Sequence, residues 1–238
     1  MTIDVALSPA DIALLPQRDL SGTTCVVFDV LRATSSMVTG LAHGAAEIHP
    51  VRTVEDALAL KAQMPDALLG GERHGDRIEG FDIGNSPLEY QEAVKGRRII
   101  TTTTNGTIAL CACEGAQRVL VGAVLNLGGL VAEIRRTEPE QLLLVCAGTF
   151  ADFALEDAFG AGLLIRMLGK AELTDAAHAA LGVAQLYPEP LDALRRAKNG
   201  HVLTSKGRGE EVEFCAQVSR FSAVGLMEGM VIRPLAVT

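Results

Sequence analysis

The chain has little of what several protein classes require. Its 238 residues contain no Trp, and aromatic residues make up 4%, so the core must consist mainly of Ala, Val, Leu and Ile. No segment reaches 18 uninterrupted apolar residues, and the N-terminus lacks a basic region followed by a long apolar stretch. We therefore expect a soluble protein that neither spans a membrane nor is secreted by that route.

Basic runs, paired cysteines and nucleotide-binding glycine motifs are also missing. The formal net charge is −8, and nucleic acids are bound by clustered Lys and Arg, so we expect no nucleic-acid partner. The five Cys lack CxxC spacing, which favours a reducing, cytoplasmic location over a zinc or disulfide protein. Neither GxGxxG nor GxxxxGK[ST] is present, which argues against the usual dinucleotide and nucleoside triphosphate sites.

What the chain does have is a regular alternation of apolar runs and helical patterns from about residue 24 to about residue 168. This alternation is typical of parallel strands joined by helices. It predicts an α/β fold with a largely parallel or mixed sheet, flanked by helices in three layers, and a mainly helical C-terminal portion. The predicted strands are 25–28, 46–49, 67–69, 98–101, 118–121 and 142–145, with an edge strand at 3–7 and a late strand at 230–233.

The remaining segments set the expected domain organisation. Residues 70–87 carry five glycines among eighteen residues and read as a long loop, which in a compact domain is usually functional or disordered. No linker separates the segment after residue 170 from the rest of the chain. We expect one domain over residues 1–238, with residues 171–238 as a candidate subdomain or cap.

Polar side chains follow the ends of four predicted strands. Because ligands of open parallel sheets bind beyond the carboxyl ends of the strands, we expect these side chains to meet. Carboxylates there can hold Mg²⁺, and hydroxyls and backbone N–H groups can bind a phosphate, a combination that suits metal-assisted hydrolysis of a phosphate ester. The side chains are Asp29, Arg32, Glu72, Arg73, Thr104, Asn105, Thr107, Thr149, Asp152, Glu156 and Asp157.

Each of these residues also has a purely structural interpretation. Asp29 and Asp152 can cap helices, and Glu156 with Asp157 can be ordinary first-turn acids. Single arginines such as Arg32 are usually surface charges. The threonine run before Asn105 suits a strand that leaves the sheet at a tight turn.

Four segments together carry a resemblance to a known family. They are VVFDVLRATSS at 26–36, LLGGERHG at 68–75, IEGFDIGNSPLEY at 78–90 and TTTTNGT at 101–107, and residues 146–157 extend the series. In this order, over about residues 25–165, they resemble the motifs of the 2-phosphosulfolactate phosphatases. The resemblance implies Mg²⁺-dependent hydrolysis of 2-phospho-3-sulfolactate to 3-sulfolactate and phosphate, a step of coenzyme M biosynthesis. Residues 205–225 match less well, since an acid near Ser219 and a proline near Gly225 are missing.

Carried over residue by residue, the resemblance implies a set of site residues whose roles we infer. We place Asp29, Glu72 and Asp157 nearest the metal, with Asp152 and Glu156 as alternates. Arginine forks bind two oxyanion oxygens at once, so Arg32 and Arg73 are expected at the phosphate and sulfonate. The full expectation is Asp29, Arg32, Asn105 and Thr107 as catalytic residues, Thr34, Arg73, Asn85, Ser86, Thr104 and Gly106 as substrate-binding residues, Asp29, Glu72, Asp152, Glu156 and Asp157 as metal ligands, and Asp82 as a further residue of the pattern.

Three other functions compete with metal-assisted ester hydrolysis. An aspartyl-phosphate phosphatase of the haloacid dehalogenase type needs a second Asp two residues after the first, and Leu31 stands there. Whether Asp29 attacks phosphorus or only holds a metal stays open at this point. A non-catalytic small-anion-binding protein is a further alternative, whereas a nucleophilic Cys is disfavoured because the cysteines lie in apolar stretches.

The expected partner is a small anionic phosphorylated substrate, or another phosphorylated hydroxy acid treated by the same chemistry. Apolar helix faces and edge strands are compatible with a homodimer.

Overall fold

The computed structural model describes residues 1–235, and its elements follow the predicted alternation. The strands are β1 (Thr2–Ala6), β2 (Thr23–Phe28), β3 (Glu47–Pro50), β4 (Leu68–Arg73), β5 (Asp76–Arg77), β6 (Arg98–Thr102), β7 (Arg118–Gly122), β8 (Gln141–Cys146), β9 (Glu172–Leu173), β10 (Gly225–Glu228) and β11 (Val231–Pro234). The helices are α1 (Pro9–Leu14), α2 (Ala33–Ala42), α3 (Val54–Gln63), α4 (Gly106–Ala112), α5 (Leu127–Thr137), α6 (Leu155–Leu168), α7 (Asp175–Leu186), α8 (Pro190–Arg196), α9 (Lys198–Ser205) and α10 (Gly209–Cys215).

The strands form one mixed sheet that is covered by helices on both faces, as predicted. The strand order is β5-β4-β6-β3-β11-β10-β7-β2-β8-β1-β9. Successive side chains of a strand point to opposite faces, and β2 follows this rule: Val26 and Phe28 pack with α5, α6 and α7, whereas Cys25 and Val27 pack with α1, α2 and α4. The three-layer α/β/α architecture is therefore confirmed.

The sheet contains two groups of parallel strands that run in opposite directions. One group is β7, β2, β8 and β1, and the other is β3, β6 and β4. The hairpin of β10 and β11 lies between them, and all three pairings from β7 through to β3 are antiparallel. The expectation that the strand ends share one edge of the sheet is therefore wrong for β4 and β6, which run opposite to β2 and β8.

Residues from both groups still meet, through the turns and helices that follow the strands. Five successive pairings separate β2 from β6, so the two strands are not neighbours in the sheet. The approach is visible at the start of α4, where a Cβ on Gly106 would lie 2.6 Å from Asp29 Oδ2 and 2.6 Å from the Ala33 side chain. The turn after β2 and the start of α4, which follows β6, are thus in contact.

The first part of the loop predicted at residues 70–87 belongs to the sheet. Strand β4 continues beyond residue 69 to Arg73, and a short hairpin with β5 follows, whereas residues 78–86 form no strand or helix of their own. The prediction is wrong for residues 70–77 because the glycines there are typical of loops but serve the sheet. Gly71 has φ +143°, and a Cβ there would lie 2.1 Å from the Thr102 carbonyl oxygen. The glycine is needed for close approach of two strands, not for a turn.

The two ends of the chain also differ from expectation. The N-terminal strand β1 is not the edge strand, because the two-residue β9 pairs with it at Thr2 and Ile3. The C-terminal portion is mainly helical through α7 to α10, but it also supplies the unpredicted strand β10, which pairs with β7 near the middle of the sheet. The late strand predicted at 230–233 is present as β11.

Two features of the described residues bear on the class of protein. All five cysteines are buried thiols without a disulfide partner. No helix within residues 1–235 combines the length and the apolar character that crossing a membrane requires.

We predict that Gly71→Ala destabilises the fold by about 2–4 kcal/mol, because overpacking and backbone strain combine at this residue. Urea denaturation measures the change. Gly22→Ala is the matched control, since a Cβ on Gly22 meets nothing within 4 Å. Equal midpoints for the two variants would show that β4 and β6 do not need this close approach.

Candidate active site

A pocket of about 120 Å³ lies where the ends of β2, β4, β6 and β8 meet helix α9. Acidic, hydroxyl, amide and basic side chains share its wall with a few apolar ones. The lining residues are Asp29, Leu31, Arg32, Glu72, His74, Gly75, Asn85, Thr104, Asn105, Gly148, Thr149, Phe150, Lys198, Asn199, Val202 and Leu203.

Asp29 is held by the turn between β2 and α2. Its Oδ1 accepts a hydrogen bond from the N–H of Ala33 at 3.1 Å, although the N-cap residue of α2 is Arg32 and not Asp29. The hydroxyl of Thr34 accepts from the backbone N–H of Asp29 at 2.9 Å and donates to its carbonyl oxygen at 3.0 Å. Thr34 therefore fixes the position of the aspartate, and the turn leaves Asp29 facing the pocket.

Glu72 joins two loops through its carboxylate. Oε1 accepts from the N–H of Thr104 at 2.7 Å, and Oε2 accepts from the N–H of Gly75 at 2.7 Å. Both distances are typical of charge-assisted hydrogen bonds. The buried carboxylate thus ties the end of β4 to the loop after β6 while it lines the pocket.

The loop after β6 contributes a hydroxyl and an amide. The Oγ1 atom of Thr104 is shielded from solvent and has no hydrogen-bond partner among residues 1–235. Asn105 donates from Nδ2 to the carbonyl oxygens of Ala147 and Phe150, both at 3.0 Å, and its Oδ1 accepts from the N–H of Phe150 at 2.9 Å. Asn105 therefore fixes the loop after β8, and Thr104 offers an unused polar group to a ligand.

Two further acids are buried at the start of α6. Asp157 accepts from the N–H of Val30 at 2.8 Å through Oδ1 and from the N–H of Gly148 at 3.0 Å through Oδ2. Glu156 accepts from Asn199 Nδ2 at 2.7 Å. Neither side chain is part of the pocket wall, although both lie directly behind it, where Asp157 joins the turn after β2 to the turn after β8.

The buried acids raise one another's pKa. Burial is the largest cause of the raised pKa of Asp29, which is about 7, and the charges of Glu72 and Glu156 raise it further. Burial also raises the pKa of Glu156. Burial followed by the charges of Glu156 and Asp29 raises the pKa of Asp157 well above its usual range. The site therefore carries an unfavourable concentration of negative charge.

Arg32 lines the pocket but is already paired. Its Nη1 lies 2.5 Å from Oε2 of Glu211, with side-chain exposures of 4% and 8%, and its Nη2 donates to the Gly75 carbonyl oxygen at 2.7 Å. The same carbonyl accepts from Arg208 Nη1 at 2.6 Å. Arg32 thus connects α2, α10 and the β4–β5 turn, and much of its bonding capacity is used within the protein.

Several of the residues expected in the site lie outside the pocket wall. Arg73 donates to the Glu72 carbonyl oxygen at 2.7 Å and to Thr102 Oγ1 at 2.9 Å. Asp152 is an exposed residue that pairs with Lys198 at 3.2 Å. The expected residues that line the pocket are Asp29, Arg32, Glu72, Asn85, Thr104 and Asn105, and those that do not are Thr34, Arg73, Asp82, Ser86, Gly106, Thr107, Asp152, Glu156 and Asp157.

The outer residues still have definite positions around the pocket. The Thr107 hydroxyl accepts a hydrogen bond from the N–H of Thr103. The Ser86 hydroxyl accepts from the N–H of Leu88, and Asp82 Oδ2 accepts from the N–H of Leu69. These contacts shape the turns on which the lining residues stand. Their roles toward a substrate stay predictions.

Helix α9 provides the pocket residues that the sequence did not reveal. Lys198, Asn199, Val202 and Leu203 all line it, although this segment carries no motif. A signal was available in the charge, because Arg195, Arg196, Lys198, Lys206 and Arg208 fall within fourteen residues of a chain whose net charge is −8. A cationic segment in an acidic protein indicates an anionic ligand.

The donors of the pocket fit a divalent cation. Within residues 1–235 no three His, Cys, Asp or Glu side chains form a ready-made metal cage. Mg²⁺ is usually bound by one or two carboxylates together with water and substrate phosphate, and Asp29 and Glu72 supply two carboxylates on one pocket wall. A cation there would also offset the mutual repulsion that contributes to the raised pKa of Asp29.

Fold and site together define an α/β protein with an acidic pocket at converging strand ends, an arrangement suited to the hydrolysis of a small anionic ester. Comparison with known proteins makes this specific. The sequence pattern of the family described as 2-phosphosulpholactate phosphatase matches residues 11–229. The chain belongs to this family, which confirms the resemblance found in the motifs and places the protein among the phosphoric monoester hydrolases.

Curated relatives agree with this assignment. A protein of Carboxydothermus hydrogenoformans is 37% identical over 98% of this chain and 97% of its own length. A protein of Deinococcus radiodurans is 40% identical over 87% of this chain and 88% of its own. A protein of Thermotoga maritima is 38% identical over 93% and 97%. Each is named probable 2-phosphosulfolactate phosphatase.

We predict that Asp29→Asn stabilises the metal-free protein above pH 7. The folded-state pKa of Asp29 is raised from 3.8 to about 7, so the folded state binds this proton more tightly than the unfolded state does. Stability from this group is present below pH 4 and is lost as the pH rises toward 7. The variant keeps an oxygen for the Ala33 N–H and has no such loss. Thermal melting in EDTA should give similar melting temperatures near pH 4 and a higher one for the variant at pH 8.

Asp19→Asn is the control, because it should change the melting temperature at pH 8 in the opposite direction. Hydrogen bonds from Ser21 lower the pKa of the exposed Asp19, so the wild type gains stability from that group above pH 4, and the variant should be slightly less stable at pH 8. A lower melting temperature for Asp29→Asn at pH 8 would contradict the burial of an unfavourable charge.

Proposed function

We propose that this protein is a Mg²⁺-dependent phosphatase that hydrolyses the phosphate ester of a small anionic 2-phospho acid, 2-phospho-3-sulfolactate being the substrate named for its relatives. The observation that carries the proposal is the pocket itself: the half-buried carboxylate of Asp29 and the buried carboxylate of Glu72 share a wall with the unpartnered hydroxyl of Thr104. Carboxylates favour a hard cation, and the hydroxyl favours an oxyanion.

Asp29 and Glu72 would hold the metal. When bound, Mg²⁺ would polarise the phosphoryl oxygens and lower the pKa of a bound water. The two carboxylates are pre-positioned, because the N–H groups of Ala33, Thr104 and Gly75 fix their oxygens. Such preorganisation spares the site a reorganisation cost during the reaction.

The other pocket residues would orient the ester. The Thr104 hydroxyl can donate to a phosphoryl oxygen, and this would satisfy a buried group that otherwise costs about 1–3 kcal/mol. Asn105 keeps the loop after β8 in place through its three hydrogen bonds. Burial raises the pKa of the Cys146 and Cys215 thiols, which supports chemistry without a cysteine nucleophile.

We further propose that α8, α9 and α10 act as a cap within a single domain. Four residues of α9 line the pocket, and the strands that follow α10 pair inside the sheet, which ties the helices to the core. The homodimer, the cytoplasmic location and the lack of a nucleic-acid partner stay predictions from the sequence.

We predict that Asp29→Asn lowers phosphate release at least ~100-fold, the order expected from losing several kcal/mol of metal-assisted stabilisation. The measurement is phosphate release from 2-phospho-3-sulfolactate and a panel of small phosphorylated hydroxy acids, with Mg²⁺ or with EDTA. Asp19→Asn, which removes an exposed acid outside the pocket wall, should retain wild-type turnover.

Two results would count against the proposal. Undiminished turnover in EDTA would remove the metal from the mechanism. Ligand-induced stabilisation of the wild type without phosphate release at any Mg²⁺ concentration would indicate a non-catalytic anion-binding protein.

A further inference from the structure

Lys198 places a cation in the pocket wall at the start of α9. Its ammonium lies 3.2 Å from Oδ2 of Asp152, and the two side chains are 62% and 68% exposed. Ion pairs between exposed side chains contribute little to stability. The contact can therefore be exchanged for another anion at small cost.

Arg32, the other strong cation of the pocket wall, is differently placed. Its partner Glu211 is buried and its second terminal nitrogen is bonded to a carbonyl oxygen. Separating a buried pair leaves an uncompensated charge, which is strongly unfavourable. Arg32 therefore serves as the partner of a buried ion pair, whereas the Lys198 side chain can reorient toward a ligand.

The need for such a cation follows from the charge of the pocket. Asp29 and Glu72 line it, and Glu156 lies behind it. A divalent metal held by the two carboxylates would offset their charge but would leave no net positive charge for a second anionic group. A second anionic group, a carboxylate or a sulfonate, would face the same negative field without compensation.

The neighbouring residue keeps Lys198 at the pocket. Asn199 donates from Nδ2 to Thr149 Oγ1 at 2.8 Å and to Glu156 Oε1 at 2.7 Å. These bonds attach the first turn of α9 to the loop after β8 and to the start of α6. The fold therefore holds the backbone of Lys198 at the pocket, while its exposed side chain can reorient.

We propose that Lys198 binds the anionic group of the substrate that is not transferred, and that Asp152 is its exchangeable counterion. This inference rests on the proposed function and adds the residue that selects acid-bearing esters over plain phosphate esters. It also assigns Asp152 to substrate recognition and not to the metal.

We predict that Lys198→Ala raises KM about tenfold or more for 2-phospho-3-sulfolactate, the size expected for a lost charge-assisted hydrogen bond. The kcat should change little, because the contact is equal in the ground state and the transition state. For p-nitrophenyl phosphate, whose only anionic group is the phosphate, KM should stay within about twofold. A KM increase of equal size for both esters would overturn the inference.

Three further variants make the experiment specific. Arg196→Ala removes the same charge two residues earlier from an exposed side chain outside the pocket wall, so its KM values should match the wild type. Lys198→Arg should restore most of the binding. Asp152→Asn removes the competing anion and should lower KM for the acid-bearing ester; a large loss of kcat with a higher Mg²⁺ requirement would instead make Asp152 a metal ligand.

The experiments distinguish a failure of the role assigned to Lys198 from a failure of the proposed phosphatase function. If the wild type releases phosphate from none of the esters, the proposed function fails, and calorimetric binding of 3-sulfolactate then tests Lys198 alone. Weaker binding by Lys198→Ala than by Arg196→Ala would support the role of Lys198. Equal binding by these two variants would overturn it.

Discussion

The constraint on which the site depends is the burial of several like charges close together. Glu156 and Asp157 are buried close to the half-buried Asp29, and loss of solvent raises the pKa of each. Such a cluster lowers stability unless hydrogen bonds and a cation compensate it. Backbone N–H groups from the turns after β2, β6 and β8 supply the hydrogen bonds. Positive charge is still needed to offset the acids, and a bound metal and the Lys198 side chain in the pocket wall would supply it.

The topology explains why the cluster can form from residues far apart in sequence. The hairpin of β10 and β11 reverses the direction of the sheet between its two parallel groups. The C-terminal ends of β2 and β6 therefore point in opposite directions along the sheet. The turn after β2 nevertheless meets the start of α4, which follows β6, so closely that a Cβ at residue 106 would lie 2.6 Å from Asp29 Oδ2. The connections that follow the strands, and not the strands alone, thus bring the distant motifs together.

The sequence predicted the alternating core and the acidic part of the pocket, and physical reasons account for both. Buried strands such as β2 and β8 read clearly because their apolar runs are continuous and end at polar residues. Asp29, Thr104 and Asn105 follow strand ends, and Glu72 is the second-last residue of β4, where side chains meet a ligand or solvent. The continuation of β4 was missed because Gly71 serves a close strand contact, and composition alone does not distinguish that use from a loop.

The charge of the α9 segment was the one sequence signal for its contribution, and which of its residues reach the pocket depends on tertiary packing. Lys198 and Asn199 belong to no motif, and their place in the pocket follows from contacts with Asp152, Thr149 and Glu156. Arg73 is a predicted site residue that lies outside the pocket wall. The family resemblance implied that it binds an anion, but neighbouring residues of a strand point to opposite sides, and its guanidinium is bonded to Thr102. The direction of a side chain depends on the folded structure, so its role toward a substrate stays a prediction.

The pair of Arg32 and Glu211 links stability and chemistry in one contact. It crosses from the start of α2 to α10 with both side chains almost fully buried, so removal of either partner would leave an unpaired charge at a cost of about 3–5 kcal/mol. Arg32 also stands in the pocket wall beside the turn that carries Asp29. Docking of α10 therefore holds a residue of the pocket wall in place, although no residue of α10 itself lines the pocket. This helix is thus part of the structure that supports the acidic site.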